Sequence, residues 1–142
     1  MLYLFDNDMS FEIGKTAITE NMFFVGEQDI EDSISDEIWL NILNDYYQGV
    51  LEFSIKEIKD WKNAVVKKTR CNDYEKFYPI LKKGIKTKCK KNIDYDSLKR
   101  MPSKGAKSAD FLQRFINSEN DIPVKIKEAF DKLRTYYANN KN

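Results

Sequence analysis

The sequence predicts an α/β protein in which a parallel sheet of two or three strands near the N-terminus is followed by about five helices. Two short apolar runs, at 2–5 and 21–26, are separated by roughly one helix, and this spacing favours parallel strands with a right-handed crossover. Apolar residues then recur at helical spacing through the rest of the chain. Because so few strands rarely make a stable sheet alone, we expect the sheet to be incomplete.

The first strand, Leu2-Tyr3-Leu4-Phe5, is apolar on both faces, which is typical of a strand covered by helices on either side. A short helix is predicted over 11–20, with Ser10 as its cap. The second strand, NMFFVG at 21–26, opens with asparagine and closes with glycine.

The acidic stretch that begins at residue 27 leads into a helix whose apolar residues are spaced by four, with Ser33 or Ser35 as its cap. A second helix over 54–66 starts with a Ser-x-x-Glu capping box formed by Ser54 and Glu57. A third is predicted over 72–90, where the internal Pro79 is expected to break or kink it.

The last third of the sequence contains a polar stretch at 91–108, predicted as a loop, followed by apolar residues at helical spacing from 109 to 116. The chain closes with an amphipathic helix that has Pro123 in its first turn. The residues of this helix predicted to face inward are Ile126, Ala129, Phe130, Leu133 and Tyr137.

Length and composition indicate one compact domain, in which residues 1–50 carry the partial sheet and a helical part at 51–142 packs on the same core. No apolar run approaches the roughly 18 residues that a membrane span needs. The two cysteines, Cys71 and Cys89, form no CxxC motif, so we expect reduced thiols in a cytoplasmic protein and no zinc site.

The absence of histidine from the sequence excludes Ser-His and Cys-His nucleophiles and imidazole ligands to a metal. Charge is distributed unevenly along the chain: residues 1–60 carry 14 acidic and 3 basic residues, whereas residues 61–142 carry 9 acidic and 21 basic ones. This asymmetry is what a metal-dependent enzyme acting on a polyanion needs, although lysine-rich helices also serve simply to keep a protein in solution.

Asp6 and Asp8 follow the first strand, at the end where ligands of parallel sheets collect, and a period of two points them the same way. Carboxylates are hard oxygen ligands, so the cation they favour is Mg²⁺ or Mn²⁺. The alternative is an aspartate-rich turn in which these side chains accept backbone hydrogen bonds.

The segments LFDND, QDIEDSISDEIW, MPSKGAKSADFL and DIPVKIKEAF, in this order, resemble the C-terminal part of the OLD (overcoming lysogenisation defect) family of nucleases. That resemblance implies a Toprim nuclease domain with a partial, Rossmann-like parallel sheet. It also implies Mg²⁺ or Mn²⁺ as cofactor, with Asp6 and Asp8 as the Asp-x-Asp ligands and with Glu31 and Asp32 as further ligands, Asp29 being the less certain member. Lys104 stands near the functional lysine of the family, and Lys107 competes for that role.

The chain departs from this pattern in two respects. The family has a glutamate-bearing strand before the Asp-x-Asp strand, and five residues before Asp6 leave no room for it. No ATPase motif of the GxxxxGK[ST] type is present either. The resemblance therefore implies a DNA nuclease segment, plausible in phage defence, that is catalytically poor alone and works with an upstream ATPase/Toprim chain or as a homo-oligomer. The competing prediction is a non-catalytic interaction or immunity-type protein with an acidic surface.

Overall fold

A computed structural model gives the fold of the chain, and it describes residues 2–7, 9–14, 17–66, 75–89, 93–94, 98, 101 and 112–139. Strands β1 (Tyr3–Asp6) and β2 (Met22–Val25) pair in parallel, in a register that runs from Tyr3 opposite Met22 to Asp6 opposite Val25. Five α-helices follow β2 within the described residues. The predicted α/β class, with a partial parallel sheet and about five helices after it, is thereby confirmed.

The connection between the strands is less helical than the sequence suggested. Helix α1 covers only Met9–Ile13, and Gly14 follows it with a φ of +79°, in the left-handed region that ends a helix. The prediction of a helix over 11–20 capped by Ser10 is therefore wrong in its bounds. Ser10 lies inside α1, where its hydroxyl donates a hydrogen bond to the carbonyl of Asn7 (2.6 Å).

Five helices and one 3₁₀ turn after β2 have bounds that lie within the described residues. They are α2 (Ile30–Ser33), α3 (Asp36–Tyr46), α4 (Ile55–Asn63), α5 (Phe77–Cys89), the 3₁₀ turn (Glu119–Asp121) and α6 (Val124–Asn139).

Serine caps place the starts of α3 and α4. Of the two candidates for α3, Ser35 is the cap, and its hydroxyl accepts a hydrogen bond from the Ile38 amide (3.3 Å). The predicted capping box of α4 is present, since the Glu57 carboxylate accepts from the Ser54 amide at 2.8 Å and the Ser54 hydroxyl accepts in return. Pro79 does not interrupt α5, because in the first turn of a helix its missing N–H has no partner to lose.

The hydrophobic core lies among α3, α4 and α5. It contains residues from both predicted parts of the chain, 1–50 and 51–142. Trp39 is fully buried and meets the Phe77 ring edge-on at 5.4 Å between centroids. Gly84 gives α5 a flat surface against the Trp61 ring, which a Cβ at this position would overlap. The buried core residues are Ile34, Ile38, Trp39, Ile42, Leu43, Tyr47, Leu51, Phe53, Ile58, Phe77, Tyr78, Leu81, Ile85, Cys89 and Met101.

The sheet and the last helix are far less covered than the sequence predicted. β1 was expected to be enclosed by helices, yet Tyr3 is 42% exposed and Leu4 46% exposed. Helix α6 buries none of its residues, and the predicted inward positions Phe130 and Tyr137 are 57% and 61% exposed. The predicted enclosure of β1 and the inward placement of Phe130 and Tyr137 are therefore wrong, whereas the other predicted inward residues, Ile126, Ala129 and Leu133, are half-buried. The side of α6 near β2 carries Lys125, Glu128 and Lys132.

Across the described parts of the chain, no helix is both long and apolar enough to cross a membrane.

Candidate functional site

The carboxyl ends of β1 and β2 lie side by side, and the acidic sequence motifs follow them. Asp6 is the last residue of β1 and is paired with Val25, the last residue of β2. Its Oδ1 accepts a hydrogen bond from the amide of Ile30 at 3.1 Å, which is the first residue of α2. A carboxylate at this position also interacts favourably with the positive end of the short helix. The structure thus joins Asp6 to the acidic segment that was predicted to share its site.

Asp32 organises the turn between β2 and α2. One carboxylate oxygen accepts from the amide of Glu27 at 2.5 Å, and the other accepts from the amides of Gln28 at 2.8 Å and Asp29 at 3.1 Å. Gly26 makes this turn possible, because its φ is +79° and a Cβ would overlap the Asp29 carbonyl oxygen. Three consecutive amides therefore converge on one side chain.

The environment of Asp32 acts on its protonation in two opposing ways. Burial raises the pKa of the Asp32 carboxyl above its ordinary value, and the three backbone amides only partly offset this effect. Asp29, itself fully buried, adds a second negative charge that acts in the same direction as burial. Asp32 is consequently a structural acceptor for its own turn, and its role as a metal ligand stays a prediction.

Glu31 occupies a different setting from Asp6 and Asp32. Its side chain is buried and lines an apolar cleft of about 520 Å³ between α2 and α6. Its main-chain carbonyl accepts a hydrogen bond from the indole of Trp39 at 2.9 Å, which attaches α2 to the core. The apolar residues around this cleft are Ile30, Ile34, Leu112, Ile116, Ile122, Pro123, Ile126 and Phe130.

Two polar residues that sequence reasoning missed also hold this region together. The side-chain amide of Asn7 donates to the Glu27 carbonyl at 3.0 Å, so the residue between the two aspartates ties β1 to the turn after β2. Gln28 is almost fully buried, and its side-chain amide donates to the carbonyl of Val66. The only sequence signal for either residue was its place inside an acidic motif, which drew attention to the carboxylates instead.

Several predicted site residues lie outside the described part of the chain. These are Asp8, the second member of the Asp-x-Asp pair, together with Lys104 and its competitor Lys107. Within the described residues, no three acidic or cysteine side chains come together in a way that could hold a metal ion. Among the described residues, Asp6, Glu31 and Asp32 therefore do not by themselves form a site for Mg²⁺ or Mn²⁺.

The basic run at 82–91 uses much of its charge inside the protein. Lys88 bridges to Glu57 at 2.6 Å, and Lys83 pairs with Glu75. Lys82 lies over the ring of Tyr78, 4.8 Å from its centroid. Of these contacts, the Lys88–Glu57 pair joins α5 to α4, whereas Lys82 stacks within α5 and Lys83 pairs just before its start.

Comparisons with protein-family models, with characterised proteins and with solved structures find no match to this chain.

Proposed function

We propose that this chain is the carboxylate-bearing segment of a divalent-metal-dependent DNA nuclease of the OLD/Toprim type, acting in phosphodiester hydrolysis and plausible in phage defence. In this proposal it works with an upstream ATPase/Toprim chain that contributes the glutamate and the ATPase motif. The observation that carries the proposal is the hydrogen bond from the Ile30 amide to Asp6. This contact brings Asp6, at the end of β1, against the acidic turn after β2, which supports a shared carboxylate site.

The ligand set in this proposal consists of Asp6 and Asp8, with Glu31 and Asp32 as the further acidic members and Mg²⁺ or Mn²⁺ as the cofactor. A divalent ion in such a site supplies charge stabilisation and an activated water. The described residues have a supporting part: Asn7 and Asp32 fix the turn after β2, and this turn holds Ile30 against Asp6. Lys104, or Lys107 in its place, is proposed to face the phosphate.

A cation titration with charge-removing variants tests the proposal. Asp6→Asn keeps an oxygen that can accept the Ile30 hydrogen bond but removes the charge, and Asp8→Asn is its partner. Asp45→Asn is a matched control, because Asp45 is an exposed carboxylate on α3. We expect Mn²⁺ binding, followed by calorimetry, to fall at least about ten-fold in the double variant and to stay unchanged in the control. Equal Mn²⁺ binding by all three proteins would refute the nuclease proposal.

A second candidate function, a non-catalytic interaction or immunity-type protein, is favoured by a different observation. The Asp32 carboxylate is already bound by three backbone amides, as expected of a structural residue rather than of an open metal ligand. Under this hypothesis the acidic N-terminal segment binds a basic partner protein. The same Mn²⁺ titration separates the two candidate functions. If the protein is a non-catalytic interaction protein, the wild type does not bind Mn²⁺, and Asp6→Asn changes neither the fold nor the response to Mn²⁺.

A further inference from the structure

Strand β1 has one strand neighbour among the described residues, and its other edge faces away from β2. The Tyr3 amide donates to Asn21 at 2.9 Å and the Asn7 amide donates to Val25 at 3.1 Å. In a parallel ladder only alternate residues bond to a given neighbour. The backbone N–H and C=O groups of Leu4 therefore point to the outer edge, where they can pair with another strand.

The side chains beside this edge are apolar and open on both faces of the sheet. Tyr3 stacks on Phe5 on one face, with centroids 6.0 Å apart, while Leu4 projects from the opposite face. Natural edge strands are usually protected by lysine, proline or a bulge, and Tyr3–Asp6 contains none of these. An outer edge of this kind is a ready template for strand addition.

We propose that the outer edge of β1 binds an extended strand of a partner protein that is apolar on both faces and carries lysine or arginine beside Asp6. Charge selects this partner. The edge ends at Asp6, next to the acidic turn, and residues 1–60 carry a net charge of −11. A second copy of the chain would bring two such segments together, and a parallel arrangement would set Asp6 beside its own counterpart. A basic strand from another protein avoids both the repulsion between two acidic segments and the repulsion between two Asp6 carboxylates.

This inference goes beyond the nuclease proposal, because strand addition requires neither a metal ion nor hydrolysis, and it deepens the second candidate function by naming the surface and the kind of partner. A failure of the Mn²⁺ titration therefore leaves it intact, and its own failure leaves the titration intact.

The probe is a short synthetic peptide whose central valines are flanked by threonine and lysine, added to the full chain and followed by NMR. We expect the peptide to shift the amide signals of Leu4 and Asp6. Leu4→Lys, which adds a positive charge at the edge, should weaken binding at least about ten-fold. Leu4→Pro removes the outward-facing N–H, although its ring also restricts the backbone at Tyr3 and Leu4, and it should have the same effect. Val124→Lys, at an exposed position on α6, is the matched control and should bind like the wild type.

Two altered peptides identify the cause of binding. A version with N-methylated central amides cannot form the ladder, and a version with glutamate in place of lysine has the wrong charge, so both should bind at least about ten-fold more weakly. Equal binding of the N-methylated peptide, no shift at Leu4, or equal affinity of Leu4→Lys and wild type would each overturn the proposal. A homodimer that Leu4→Lys dissociates would overturn it too, since the occupant would then be a second copy.

Discussion

The helical centre of the molecule and its N-terminal sheet are built in contrasting ways. In α3, α4 and α5 the large side chains are enclosed, and Trp39 and Ile58 have no exposed surface. In β1 the apolar residues Tyr3 and Leu4 remain nearly half exposed. Burial of apolar surface is the main favourable term in folding, so the helical centre supplies most of the stability. The sheet contributes little, which leaves its open surface available for binding.

The largest expected effect comes from truncating the centre itself. Trp39→Ala removes the ring that packs on Phe77 and the indole hydrogen bond to the Glu31 carbonyl. We expect the free energy of unfolding to fall by about 3–5 kcal/mol, as for large-to-alanine changes in protein cores. Leu4→Ala, the matched change in the sheet, should cost less than about 1 kcal/mol. Urea denaturation measures both, and similar costs would contradict the contrast between the regions.

A smaller effect is expected at the turn that follows the sheet. Gly26 and Gly14 share a φ of +79°, but a Cβ at Gly26 would overlap the Asp29 carbonyl, whereas no atom of the described residues lies within 4 Å of one at Gly14. Gly14→Ala should cost about 1 kcal/mol for the left-handed backbone alone. Gly26→Ala should cost about 2–4 kcal/mol because the overlap adds to that strain.

Thermal unfolding of the two alanine variants, with circular dichroism to confirm the helices, provides the measurement. If Gly26→Ala is no less stable than Gly14→Ala, the turn after β2 can adopt another backbone conformation at little cost. It then does not fix the position of Ile30 against Asp6.

The smallest effect concerns acid stability and compares two carboxylates with lowered pKa values. Burial alone would raise the pKa of Glu57, but hydrogen bonds from Lys88 and Ser54 outweigh it and hold the pKa below its ordinary value. Backbone amides of Asn117 and Ser118 lower the pKa of Asp121 in the same way. Glu57 therefore stabilises the global fold above the ordinary pKa of glutamate, and this contribution is lost as the pH falls through the lowered pKa. The lowered pKa of Asp121 stabilises only its own surface turn.

Only Glu57 connects two helices of the centre, through Lys88 of α5, whereas Asp121 bonds within its own turn. We expect Glu57→Gln to be less stable than the wild type at pH 7, and the difference to shrink below about pH 4.3, where glutamate ordinarily titrates. Asp121→Asn should leave global unfolding unchanged across this range. If Glu57→Gln stayed less stable than the wild type by the same free energy at the lowest pH, the ion pair with Lys88 would not be the cause of the difference.

The sequence predicted well wherever a local rule determines the structure. The capping box at Ser54 and Glu57, the cap at Ser35 and the closing glycine of β2 all follow from hydrogen bonding over a few residues. Periodicity likewise located α3 and α5. The parallel pairing of the strands was also predicted, because two short apolar runs separated by roughly one helix favour a right-handed crossover between parallel strands.

The failures occur where the outcome depends on distant parts of the chain. Periodicity shows that Phe130 and Tyr137 share a helix face but not that α6 turns a charged face to the sheet, with Lys132 reaching the Glu20 carbonyl at 2.7 Å. The tertiary role of Asn7 is equally invisible in the sequence, since its partner Glu27 is twenty positions away. For the candidate site, the meeting of Asp6 with the acidic segment was predictable, and the binding of Asp32 by three amides was not.

The hydrogen bond from the Trp39 indole to the Glu31 carbonyl has a spectroscopic consequence. The chain has only two tryptophans, and this one lies where the acidic segment meets the helical centre. In a Trp61→Phe variant, the emission wavelength of Trp39 therefore reports the polarity of that junction without any added label. The protein carries an intrinsic fluorophore beside the segment on which its proposed activity depends.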